Sequence, residues 1–172
     1  MLKLYRLDGP HKAYWQTWQD TSGEHIVHWG ALGTLGDSKS FHPLHPNRDP
    51  LALQAEIDAQ RAAGFVEIDV DAMDRLRVQG RPAPGAAPLA AEPLQRTLHE
   101  LDRRLGDTGL GQCETGPGSA IAAASDGDAW TFHCRVVDGA LARSCITQAL
   151  KAWFGGGLSI EPVDDDGRVL AG

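Results

Sequence analysis

The chain has 172 residues, with 16 basic and 23 acidic side chains and a formal charge of −7. That length holds one medium domain or two small ones and excludes a large multi-site enzyme. The acidic balance argues against broad, charge-driven nucleic-acid binding and leaves room for a small local site. Spanning a bilayer takes roughly eighteen consecutive apolar residues, and no such run occurs. Met1 to Arg6 lacks the apolar stretch of a secretory signal. A cytoplasmic protein with no membrane partner is therefore expected. Cys113, Cys134 and Cys145 are odd in number and form no CxxC pair, so neither a disulfide framework nor a zinc site is indicated.

The first half reads as strands followed by a helix. Leu2 to Leu7 alternates, and Asp8-Gly9-Pro10 turns the chain. Tyr14 to Trp18 is rich in aromatic and β-branched residues, which suit a pleated surface. Asp20 to Gly23 is a turn signal, and Glu24 to Trp29 returns as the hairpin partner. Gly30, Gly33 and Gly36 punctuate the next stretch, and Ser38 to Phe41 reads as one more strand. Asp49-Pro50 is a helix start, because the carboxylate caps orphan amides and proline suits the first helical position. Leu53, Ile57 and the alanines at 52, 55, 59, 62 and 63 supply the helix, and Gly64 ends it. Phe65 to Ile68 reads as a last short strand and Asp71 to Val78 as a short helix.

Residues 80–93 carry four prolines and five alanines without a hydrophobic period. Proline fixes φ and removes donors, so this stretch reads as a semi-stiff linker. It divides a first domain, 1–79, from a second, 94–172. Their net charges are −3 and −4, so neither is a basic arm. In the second half, Leu94, Leu98, Leu101 and Leu105 form one helical stripe, with Gly106 as its stop. After a glycine-rich bend, Ala120 to Ala124 and Trp130 to Val137 read as strands joined by a turn at 126–128. Asp138 caps a second helix striped by Ala142, Ile146, Ala149 and Trp153. Leu158 to Glu161 is a final strand. Helix, hairpin, helix and strand make a small α+β sandwich that resembles a trimmed ferredoxin-like plait.

One motif carries a more specific resemblance. His28-Trp29-Gly30-Ala31-Leu32-Gly33-Thr34-Leu35-Gly36, with Ser38-Lys39-Ser40-Phe41 behind it, resembles the WGR domain. That module occurs beside the catalytic domain of poly(ADP-ribose) polymerases and in small bacterial proteins. Tyr14-Trp15 matches the family's preceding aromatic strand, and Arg61-Ala62-Ala63-Gly64-Phe65-Val66 matches its helix end. The resemblance covers residues 2–69. It implies an antiparallel sheet carrying one helix, and a binding face formed by Trp29, Gly30, Gly33, Lys39 and Arg61. The family's motif has arginine where this chain has Ala31. In the DNA-damage polymerases that arginine and the tryptophan lie against a DNA end. Arginine offers a planar charge with five donors, which alanine cannot replace.

The remaining polar groups have plain readings. Trp29 reads as a core anchor and as a ring able to stack on a base or sugar. The glycine spacings match no phosphate-binding template. His42 and His45, with Asp49 nearby, lack the fixed ligand set a metal needs. His25 and His28 fall on opposite faces of their strand. His133 and Cys134 are strand neighbours and point apart, so they form no nucleophile pair. Asp164 to Asp166 reads as a solvated turn. No catalytic residue, metal site or cofactor is indicated. The expected function is non-enzymatic binding of a macromolecule. A protein partner, as for an adaptor, a regulator or a toxin neutraliser, competes with recognition of a nucleic-acid end or single strand.

Overall fold

A computed structural model describes residues 1–41, 50–81, 91–115, 124–126, 129–154 and 157–170. It is an α+β structure. The chain divides between Asp69 and Val70 into two compact units.

In the first unit, β1 (Leu2–Arg6), β2 (Ala13–Gln19), β3 (His25–Ala31) and β4 (Asp37–Phe41) form an antiparallel sheet in chain order, followed by α1 (Pro50–Ala62). Trp15 lies opposite Trp29, and Tyr14 opposite Gly30. Side chains alternate across a sheet, so Leu4, Trp15, Val27 and Trp29 share one face. That face buries Leu4, Trp15, Val27 and Phe65, with Trp29, Phe41, Leu53 and Ile57 packed around them. Each buried side chain of this kind contributes about 1.5–3 kcal/mol, so this layer holds the unit together. Gly64 (φ +86°) ends α1. The Gly64 N–H donates to the Arg61 carbonyl and the Phe65 N–H to the Gln60 carbonyl, both at 3.1 Å. This pair of bonds satisfies the orphan carbonyls and turns Phe65 into the core. The stretch from Phe65 to Ile68 is not a strand. It makes one bridge, between Val66 and Tyr5.

The second unit contains β5 (Asp74–Gly80), α2 (Ala91–Asp107), β6 (Gly111–Cys113), β7 (Ala124–Asp126), β8 (Ala129–Val136), α3 (Gly139–Phe154) and β9 (Leu158–Val163). Its antiparallel sheet runs β6-β8-β5-β9, with β7 also on β8. The expected helix over Asp71–Val78 is a single 3-10 turn (Val70–Ala72) followed by β5. The reason is a period of two: Leu76, Val78 and Gly80 are buried while Arg75, Arg77 and Gln79 are not. Because β5 pairs on both edges, with β8 and β9, it belongs to the second unit. The boundary expected after residue 79 therefore falls at 69/70. Within the expected linker, Gly80 ends β5 and α2 begins at Ala91; residues 82–90 lie outside the described residues.

The leucine stripe of α2 is buried throughout, at 0–1% exposure for Leu94, Leu98, Leu101 and Leu105. Its stop is Gly109 (φ +68°), not Gly106, which sits inside the helix. The Leu110 N–H reaches back to the Leu105 carbonyl at 2.9 Å. On α3 the buried stripe is Ala142, Ile146, Leu150 and Phe154. Leu150 and Phe154 continue the four-residue step that the sequence reading broke at Ala149. Asp138 caps α3 as expected, accepting from the Leu141 N–H at 3.0 Å. The strand β6 had no counterpart in the sequence reading. Of the expected strand over 120–124, residues 120–123 lie outside the described residues, as do Gly127 and Asp128 of the expected turn.

Candidate binding groove

The first unit carries a groove of about 440 Å³ at the edge of its helix-covered face. Trp15, Trp29, Ala31 and Lys39 line it from the sheet, Glu56 and Gln60 from α1, with Phe65 following the helix. Trp29 serves two roles there. It packs against the buried core cluster and stays half-buried, with part of the ring open to the groove.

Lys39 does not extend freely. Its ammonium sits 2.8 Å from Glu56 Oε2. It also lies 5.6 Å from the Trp29 ring centre and 5.1 Å from that of Phe41. A cation over aromatic faces and beside a carboxylate is held in place. Its charge is balanced locally, and with the Lys39 side chain 46% exposed the pair itself adds little stability. Lys39 and Glu56 are the two charged groups among the ten lining residues, so the lining is neutral. Arg61 is exposed on the last turn of α1. Neither Arg61 nor Gly33 lines the groove. The structure therefore brings Trp29, Gly30 and Lys39 together and leaves the other two expected residues aside.

The opposite sheet face explains the motif's glycines. The Tyr14 hydroxyl lies 3.0 Å from the carbonyl oxygens of Thr34 and Leu35 and 3.2 Å from His28 Nε2. Gln16 Nε2 donates to His28 Nδ1 at 2.8 Å, and His28 Nε2 contacts the Leu35 carbonyl. With the amide donating to Nδ1, the imidazole proton is assigned to Nε2, which donates to Leu35. These three buried side chains pin the loop after β3 back onto the strand. The fold-back brings Gly36 so close to Gly30 that a Cβ on Gly30 would lie 2.7 Å from the Gly36 Cα. Gly36 itself has φ +64°, a left-handed conformation that favours glycine. Close backbone approach at Gly30 and the left-handed φ at Gly36 thus account for these two glycines.

The sequence reading missed Tyr14, Gln16 and His28 as a set, and Glu56 as the partner of Lys39. Strand alternation could have found the first three, since all have even numbers on paired strands. Pairing across to α1 leaves no comparable signal. His42, His45 and Asp49 lie outside the described residues. Among the described residues, no group of three His, Cys, Asp or Glu side chains is placed to hold a metal ion, and no helix is long and apolar enough to cross a membrane.

On the second unit, the face of the sheet away from the buried leucines carries a charge network. Arg75 donates to both Glu114 oxygens, at 2.6 and 2.8 Å. Arg135 reaches Asp165 at 2.6 Å, and Arg77 reaches Glu161 at 2.5 Å. Burial pushes the Glu114 carboxyl up, but the hydrogen bonds and charge of Arg75, with His133 and Arg135 behind, hold it below its ordinary range. Burial, then the charge of Arg75, pushes the His133 imidazole down; Glu114 opposes the shift, and Arg77 and Arg135 add to it. The run Asp164–Asp166 is a turn. Arg75 donates to the Asp165 carbonyl, and Asp164 accepts from the Arg168 N–H at 2.8 Å.

No protein-family model, curated protein or solved structure matches this chain.

Proposed function

We propose that the chain is a non-enzymatic binding protein whose first unit is a WGR-like module that recognises a protein segment in the Trp29 groove. The observation that carries this reading is the neutral groove. Lys39, the cation that would meet a phosphate, is paired with Glu56 at 2.8 Å, and Ala31 stands at the remaining position. A phosphate backbone rewards uncompensated cations. An aromatic and methyl lining with a few polar groups suits an apolar side chain flanked by peptide amides. The overall charge of −7 points the same way.

The family reading is supported by the match between the first unit, Met1–Asp69, and the span of the resemblance. Four antiparallel strands followed by one helix, with Gly36 folded back so closely on Gly30 that no Cβ fits there, also support it. For the second unit, the order β5-α2-β6-β7-β8-α3-β9, with β6 and β7 pairing successive stretches of β8 as one interrupted strand, and the sheet order β9-β5-β8-β6 support a ferredoxin-like plait. Such a groove is compatible with the role of an adaptor, a regulator or a toxin neutraliser.

The competing reading is recognition of a DNA end or single strand through Trp29 and Lys39. Titration of the full chain into labelled blunt, nicked and single-stranded DNA and RNA, at two salt concentrations, separates the two. The protein-partner reading predicts no saturable binding at micromolar protein. Salt-sensitive binding to one form, lost in Trp29→Ala, would put nucleic acid in its place.

A further inference from the structure

We propose that Cys113 and Cys134 form a modification site, at which a peroxide converts the two thiols into a reversible disulfide across β6 and β8. The two residues are direct partners in the antiparallel register. Their Sγ atoms lie 3.5 Å apart, and both thiols are free. The flanking bonds identify the kind of pair. The Val137 N–H donates to the Leu110 carbonyl at 3.0 Å, and the Glu114 N–H to the His133 carbonyl at 2.8 Å. Hydrogen-bonded pairs alternate along an antiparallel ladder, so Cys113 and Cys134 occupy a non-hydrogen-bonded position. At such positions the Cα atoms approach to about 4.5 Å and the side chains are closest. That separation falls within the roughly 4.4–6.8 Å a disulfide spans. Rotation of the two side chains closes the gap without moving the strands.

The surroundings set the order of events. Cys113 sits on β6, a three-residue strand at the edge of the sheet. Its N–H donates to Asp102 Oδ1 of α2 at 2.7 Å. Cys113 and Cys134 are both buried, at 2% and 0% exposure, but Cys134 lies on β8, inside the edge. The hydrogen bond with Cys113, and then burial, pushes the Cys134 thiol well above its ordinary range. Cys113 is therefore the attacking residue and Cys134 the resolving one. The Cys113 thiolate attacks one peroxide oxygen, the O–O bond breaks, and hydroxide leaves to take up a proton. The resulting sulfenic acid is attacked by the Cys134 sulfur, which loses its proton. The S–O bond breaks and water leaves. Two S–H bonds are lost, one S–S bond forms, and two electrons reduce the peroxide to two waters. A dithiol reductant reverses the change by exchange. Burial makes the forward reaction slow, because attack waits on opening of the β6 edge. Cys145 lies on a different element, α3, and is half-buried; outside the β6–β8 register, it serves as an internal control.

The test treats the full chain with hydrogen peroxide under native conditions and then removes the oxidant. The protein is unfolded, its remaining thiols are alkylated, and it is analysed by intact mass and non-reduced peptide mapping. The expected result is a monomer with one alkyl group, on Cys145, and a linked Cys113–Cys134 peptide pair. Reduction should restore three alkylatable thiols. The oxidised protein should melt about 10 °C higher, the scale for closing a loop of roughly twenty residues in a domain of this size. Cys134→Ala should lose the linked pair and leave Cys113 alkylatable or overoxidised. Alkylation of all three cysteines after oxidation, separate sulfinic acids at 113 and 134, or a crosslink through Cys145 would each overturn the proposal.

Discussion

Replacing Gly36 with alanine tests whether the fold-back of the loop after β3 depends on close backbone packing. Two effects add at this position. A Cβ in the left-handed region costs about 1–2 kcal/mol, and Gly36 has φ +64°. The same Cβ would lie 2.6 Å from the Tyr14 hydroxyl and collide with the Trp29 carbonyl, an overpacking that costs about 1–3 kcal/mol more. Together these predict a loss of about 2–5 kcal/mol, or roughly 10–40 °C in melting temperature at about 4–8 °C per kcal/mol for a unit of this size. Gly64→Ala separates the terms. Gly64 has φ +86° with nothing within 4 Å of its Cβ, so only the conformational cost of about 1–2 kcal/mol applies. Thermal unfolding of the full chain, with hydrogen exchange read at the amides of β2 and β3, measures both variants on the same unit. If Gly36→Ala costs no more than Gly64→Ala, the close packing inferred around Tyr14 and Trp29 is wrong.

Other consequences follow from the titrating groups and the groove. Burial raises the Tyr5 phenol to about 12 from 10.0, so its folded state prefers the neutral form. Its contribution is complete below pH 10 and falls by about 1.4 kcal/mol per pH unit toward pH 12. Because the Tyr5 hydroxyl has no hydrogen-bond partner among the described residues, Tyr5→Phe should be neutral or stabilising at pH 7 and abolish this alkaline loss in a denaturation series. The depressed His133 and Glu114 groups act at the other end of the scale. Each contributes stability above its unfolded value and loses it as pH falls, so the second unit should weaken below about pH 6.5 and further below about pH 4.5. His133→Phe should remove the first step in hydrogen-exchange profiles, whereas an unchanged profile would contradict the assigned burial. Ala31→Arg places an uncompensated guanidinium at the groove and should create salt-sensitive DNA binding where the parent shows none. Anisotropy titration at two salt concentrations reads this directly, and no gain would mean that the groove does not present its contents to a phosphate backbone.

Much of the first unit was legible in the sequence because its signals are local. The aromatic strand Tyr14–Trp18, the turn at Asp20 and the glycine stop at Gly64 each act within a few residues. The strand Asp74–Gly80 was misread, although Arg75-Leu76-Arg77-Val78 alternates. Such a short stretch between acidic residues and a proline-rich segment fits a helical turn equally well, and its two neighbours β8 and β9 lie far along the chain. Tertiary pairing settled its state. The same reason hid Cys113 and Cys134, whose register depends on how β6 docks on β8. At the groove, Trp29 and Lys39 were visible through the motif. The Glu56 that neutralises Lys39 was not, because a helix-to-strand ion pair depends on the helix's rotation over the sheet. Gly33 and Arg61 entered through the family's pattern, and the groove does not include them.

The most direct test of groove recognition is selection of a random displayed peptide library on the full chain, followed by mapping of an enriched synthetic peptide by NMR. The account predicts micromolar binding that changes little with salt. It predicts shifts centred on the Trp29 indole, Ala31, Gln60 and Phe65, and at least tenfold weaker binding to Ala31→Arg, whose exposed position leaves the fold intact. Enriched peptides that shift residues elsewhere, or bind Ala31→Arg as well as the parent, would contradict it.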